Sequence, residues 1–182
     1  DSLAVNNGFK HTWYEYIPEQ LRGTQEKVPL VFYFHGGGCV PLYGAEQSDW
    51  HKIAKKENFI VVYPKASIAK TWNAFDDLSQ PSDFAFVLAL IEHIKKIHPI
   101  DETRIYLSGF SMGSMMSNAM ACAYPNIFAA ASALNAQHFG YLSNMAKMML
   151  NLSAGMGPKP SEEKLNEISH TKILADEAKK KK

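Results

Sequence analysis

Cysteine is nearly missing from this chain: two residues, Cys39 and Cys122, in 182. With no C-x-x-C spacing, they exclude a structural zinc site and a disulfide-stapled scaffold, and both read as free thiols. Charge of one sign is lacking too. Nineteen Lys and Arg against eighteen Asp and Glu leave a formal net charge of +1, which gives no footprint for a nucleic-acid partner. No apolar run is long enough to span a bilayer. No leader-type segment stands at Asp1, which leaves open a mature form whose signal has been removed. Internal repeats are missing as well. What remains is 46% apolar and 20% charged, the composition of one globular domain with a sizeable core.

The apolar segments alternate in kind. Residues 11–17 are aromatic and β-branched with period two, an early, half-exposed strand. Residues 28–34 (VPLVFYF) form a continuous apolar run, as expected of a strand buried on both faces. The run ends in His35-Gly36-Gly37-Gly38. Residues 48–57 carry helical spacing, 59–63 (FIVVY) form a second buried strand closed by Pro64, and 65–80 read as a long loop carrying Trp72 and Asn73. The clearest helix is 83–97, with Phe84, Val87, Leu88, Ile91 and Ile94 at spacings of three and four. Ser82 is its expected N-cap, and Glu92 and Lys96 are set for an i,i+4 pair. A strand over 104–108, a helix over 114–123 and a weaker strand over 128–134 follow.

From residue 28 onward this is strand, helix, strand, helix, strand, helix, strand. The expected class is α/β, a mostly parallel sheet with helices on both faces, in which sites form at the carboxyl ends of the strands. The core is expected over 1–140. Residues 141–182 are expected to form a helical or poorly ordered tail, because they hold no apolar β run and end in four lysines.

Two glycine-rich features fall at strand ends. Gly109-Phe110-Ser111-Met112-Gly113 is a G-x-S-x-G pentapeptide between a strand and a small-residue helix, the context of a nucleophile elbow. Such a turn exposes the serine hydroxyl, and its glycines relieve crowding where the chain doubles back. The Met112 N–H opens a helix into the same space. The His35–Gly38 run stands where a second oxyanion donor is needed, with His35 expected to hold that loop by hydrogen bonds. Trp72 and Asn73 are expected either to line a substrate cleft or to cap the sheet. The pattern calls for no metal and no cofactor.

A serine needs a base and an acid to orient it, and in this order of elements both follow the serine. Beyond Ser111 the histidines are His138 and His170. His138 comes one strand early and His170 lies in a polar segment with Asp176 and Glu177, so His138 is the only base worth naming and a weak one.

The stretch 28–135 resembles the polyhydroxybutyrate-depolymerase-like esterases, an α/β-hydrolase group that includes feruloyl and acetylxylan esterases. The blocks that carry it are VFYFHGGG at 31–38, FIVVYP at 59–64, TWNAF at 71–75, IDETRIYLSGFSMGSMMSNAMA at 100–121 and AYPNIFAAASALNA at 123–136. The resemblance implies a secreted or envelope-associated serine esterase. Ser111 would be the nucleophile, Gly37 and Met112 the oxyanion donors, and a small or polymeric ester the substrate. Two departures stand out. Ser114 occupies a position usually held by glycine. The family's acid and histidine lie at two later strand ends, and no run here supplies them, so the fold is expected to be truncated at its C-terminal end. An open sheet edge would then favour self-association. The alternative function is a catalytically incomplete fragment or a non-catalytic binding domain.

Overall fold

The computed structural model describes residues 2–4, 10–67, 70–74 and 82–135. All of these fall in one compact unit, Asp1–Ala136. The expected boundary at residue 140, the tail beyond it, and His138, His170, Asp176 and Glu177 lie outside the described residues.

Six strands form one sheet: β1 (Ser2–Ala4), β2 (Lys10–Tyr16), β3 (Val28–Phe34), β4 (Ile60–Pro64), β5 (Ile100–Phe110) and β6 (Ala130–Leu134). Their spatial order is β1-β2-β4-β3-β5-β6. The β4, β3, β5 and β6 strands are parallel, and β1 and β2 are antiparallel additions at one edge. β3 and β4 are apolar throughout because they lie inside the sheet with both faces covered.

The period of two along each strand sorts the faces. On one face Val31, Tyr33, Val61 and Tyr63 pack with Ala54 and Phe59, with Tyr16 and Trp50 against them. The helices here are α1 (Pro41–Ser48) and α2 (Trp50–Glu57). On the other face β2 meets α3 (Asp83–Ile97): His11 stacks on Phe86 and Trp13 meets His93 edge-on. The end of α4 (Met112–Ala123) reaches α3 through Tyr124 and Phe84.

Where the structure departs from the expected elements, the reasons are local. The helix expected over 48–57 is α2, and a further helix, α1, precedes it. Asp49 takes left-handed backbone at φ 55°, ending α1 and starting α2, and α1 reaches back to Pro41, whose fixed φ suits a first helical turn. β5 begins at Ile100 rather than 104. Val28 pairs with Ile100 while Leu30 pairs with Ile105, so the register shifts at Pro29, which has no N–H for the ladder. The extra residues of β5 close on themselves: Asp101 accepts from Thr103 N and Oγ1 and from Arg104 Nε. Glu92 pairs with Lys95, not Lys96, and Lys95 also reaches Glu102 at 2.7 Å. Ser82 caps α3 as expected, accepting from Ala85 N at 3.1 Å.

Candidate active site

Ser111 joins β5 directly to α4. Its backbone stands at φ 53°, ψ −115°, a region that L-residues rarely adopt and that persists only where surrounding structure enforces it. The enforcement is visible. Ser111 N–H donates to Leu134 O at the end of β6, and Ser111 O accepts from Ser114 N and Met115 N in the first turn of α4. A Cβ on Gly109 would overlap the Gly113 carbonyl, and one on Gly113 would overlap the Phe34 carbonyl. The pentapeptide therefore needs both glycines for space. Ser114 makes use of the atom that glycine lacks: its Oγ lies 2.6 Å from both Gly109 O and Leu134 O, donating to one at a time and tying β5, β6 and α4 together. Ser111 itself is half-buried.

The facing wall is a tight turn at the end of β3. Cys39 N–H donates to Gly36 O, and Gly38 sits at φ 76°, the left-handed third position of a type II turn. A Cβ added at Gly36 would come within van der Waals reach of Ser111, and one at Gly37 would meet the Met112 side chain. The two elements expected to carry the oxyanion donors are thus adjacent. Met112 is the first residue of α4, where a helix leaves its N–H groups without intrahelical acceptors.

His35 holds this turn from below. Ala66 N–H donates to His35 Nε2 at 3.3 Å, so Nδ1 carries the proton and donates to Gly36 O at 2.8 Å. Burial lowers its pKa and keeps the ring neutral. Trp72 and Asn73 do not present a surface. Trp72 is fully buried, packs on Phe34 and His35, and donates from Nε1 to His35 O at 2.7 Å; Asn73 is 4% exposed. Their burial is what a cap over the sheet requires.

Of the five described histidines, His98 is the C-cap of α3 and its Nε2 has no partner among the described residues, and the other four are engaged elsewhere. His11 is engaged by Ser67, His35 by Gly36 and Ala66, while His51 lies against Tyr16 and His93 against Trp13. His138 falls outside the described residues. Sequence reasoning missed one group entirely. Asp83, in the first turn of α3, has no exposed surface and its pKa is raised to about 6 by burial. Its position after an N-cap serine reads as a helix-dipole carboxylate, and nothing in the sequence marks it as a partner of the loop before α3. Among the described residues no three His, Cys, Asp or Glu come together to hold a metal, and Cys39 is a free thiol.

Comparison with known proteins bears on this arrangement. Residues 13–160 match the family described as esterase PHB depolymerase. A bifunctional acetylxylan esterase/xylanase of Neocallimastix patriciarum is 36% identical over 131 residues, covering 65% of this chain and 18% of that protein. A feruloyl esterase B of Talaromyces funiculosus is 29% identical, covering 71% of this chain and 37% of its own length. The chain thus spans well under half of these relatives. An S-formylglutathione hydrolase from Agrobacterium tumefaciens superposes with a TM-score of 0.68 at 20% identity, over 83% of this chain and 62% of that one, which shows the shared fold. The elbow, the sheet order and the family match agree: the chain belongs to the esterase PHB depolymerase family and has the α/β-hydrolase fold.

Proposed function

We propose that this chain carries the nucleophile and oxyanion hole of a serine-dependent carboxylic-ester hydrolase. The observation that carries the reading is Ser111 in strained backbone at a β5–α4 elbow, with the Gly36–Gly38 turn against it. Ser111 Oγ adds to the ester carbonyl carbon, and the Gly37 and Met112 N–H groups receive the negative oxygen. Collapse expels the alcohol, and water then releases the acid. Proton transfer requires a histidine. His138, the residue named on sequence grounds, is the first to test. The substrate class supported by the relatives' names is a small or polymeric ester, of acetylxylan, feruloyl or hydroxyalkanoate type. A secreted or envelope-associated setting rests on the family resemblance. No helix among the described residues is long and apolar enough to cross a membrane. Association through the β6 edge gains no support from the comparisons.

The test is hydrolysis of p-nitrophenyl acetate by the chain, by Ser111→Ala and by His138→Ala. Turnover above the buffer rate that disappears in Ser111→Ala supports the reading. Turnover that survives Ser111→Ala defeats it. A folded chain without turnover above buffer favours the alternative, a non-catalytic or incomplete domain.

A further inference from the structure

Asp83 is a buried carboxylate that the proposed chemistry does not use. It accepts three hydrogen bonds, all from the loop between β4 and α3. Ser67 N–H donates to Oδ1 at 3.1 Å, Ser67 Oγ–H donates to the same oxygen in a short bond, and Asn73 N–H donates to Oδ2 at 2.7 Å. A carboxylate is the only side chain of this size that can accept on both oxygens at once. The two anchored residues lie among those that hold the glycine turn. Ala66 N–H reaches His35 Nε2, Lys70 O accepts from Gly38 N–H at 3.0 Å, and Trp72 Nε1–H reaches His35 O. Asp83 therefore fixes Ser67 and Asn73, Ala66, Lys70 and Trp72 fix His35 and Gly38, and Gly37 lies between those two.

The chain of bonds runs on to β2. Ionised Asp83 can only accept, so the Ser67 hydroxyl donates to it and has its lone pairs free for a donor. That donor is His11 Nδ1 at 3.1 Å, which puts the His11 proton on Nδ1. His11 Nε2 has no partner among the described residues, consistent with a bare lone pair. Phe86, three residues along α3 from Asp83, stacks on the His11 ring and fixes its plane. Burial keeps His11 neutral.

We propose that Asp83, through Ser67 and Asn73, is a positioning residue for the oxyanion turn, with His11 and Ser67 completing a relay that sets the orientation of the Ser67 hydroxyl. The catalytic consequence rests on the esterase reading given above; the clamp itself does not.

The experiment compares the wild-type protein with Asp83→Asn at pH 8. The asparagine oxygen keeps the bond from Asn73 N–H, but its amide then faces the Ser67 N–H donor to donor. The amide also donates to Ser67 Oγ, which turns the Ser67 proton to His11 Nδ1 and moves the His11 proton to Nε2. Expected are a tenfold or greater rise in hydrogen exchange at the Ser67 and Gly38 amides and the Trp72 indole, with Val31–Phe34 unchanged. His11 ring nitrogen shifts report the tautomer switch. For p-nitrophenyl acetate, kcat falls about tenfold with KM within twofold. Unchanged exchange at Gly38 and Trp72, or an unchanged His11 tautomer, in a variant with a protected β3 overturns the clamp. Altered exchange with unaltered kcat overturns its positioning role. If Asp83→Asn does not fold, Ser67→Ala removes only the hydroxyl; the same sites respond less strongly, and no response there overturns the proposal. Should Ser111→Ala leave hydrolysis intact, the esterase reading fails, while exchange and the His11 shifts still decide the clamp.

Discussion

At Ser111 a single backbone conformation carries most of the functional argument, and its neighbours show what it costs to maintain. The two pentapeptide glycines face backbone: Gly109 meets the Gly113 carbonyl and Gly113 meets the Phe34 carbonyl. Backbone there is fixed by the sheet, so a methyl group cannot be absorbed. Gly113→Ala is expected to destabilise by about 3 kcal/mol or more, seen as a fall in Tm of ~6–12 °C or as insoluble protein. Gly37 is a different case. Its added Cβ would meet Met112 Sδ at 2.7 Å, the mobile end of a flexible side chain. Gly37→Ala should therefore keep its Tm within ~2 °C. It should still lower kcat for p-nitrophenyl acetate, because the methyl and the displaced thioether crowd the proposed oxyanion position. Equal Tm losses in the two variants would contradict this distinction. Sequence pattern alone locates Ser111, Gly109 and Gly113, since the elbow's steric demand is written in residue types. It also singles out Trp72 and Asn73, but not their burial, because an aromatic in a loop looks the same from sequence whether it faces a cleft or a core.

Among the elements, those legible in sequence are those decided by local periodicity or by a cap. β3 and α3 match their expected ranges residue for residue, the first as an unbroken apolar run and the second between Ser82 and Pro99. The Ser82 cap is local enough to test alone. Ser82→Ala removes the acceptor of Ala85 N–H and should cost about 1 kcal/mol, a Tm fall of ~2–4 °C, without changing hydrogen exchange in β3. A fall several times larger would mean that Ser82 supports more than its helix. The elements that sequence hides are those set by tertiary pairing. β1 exists because it pairs with β2, the first residues of β5 because Ile100 finds Val28 across the Pro29 irregularity, and α1 because Asp49 accepts left-handed backbone between two short helices. The Asp83 clamp belongs with these. Its members come from β2, a loop and α3, up to 72 positions apart between His11 and Asp83, and no local motif joins them.

At the scale of the whole molecule, the ionisable groups with shifted pKa values make stability depend on pH in separable windows. Asp101, half-buried and held by Thr103 and Arg104, has its pKa lowered to about 2; it stabilises above the unfolded value near 3.8 and that contribution is lost as pH falls from there toward 2. The neutral, buried His11 and His35 have lowered pKa values, so they stabilise above about 6.5 and lose that contribution on acidification. Asp83 acts in the opposite sense. Its pKa rises from 3.8 to about 6 because burial outweighs its three donors. Between those values the folded state holds a proton that the unfolded state has released. The Asp83 contribution is therefore full below pH 3.8 and declines as pH rises through 6, by on the order of 3 kcal/mol in total. Asp83→Asn has no proton to lose at this position. The destabilisation it causes, measured by urea unfolding, should accordingly be largest near pH 4 and shrink by on the order of 3 kcal/mol by pH 7.5. A penalty that is flat across that range, or that grows with pH, would show that Asp83 is ionised throughout. The expected trend also separates stability from function at this residue. At neutral pH the charge on Asp83 lowers stability, yet in that state both of its oxygens are free to accept, and the loop supporting Gly37 is held at Ser67 and Asn73 together.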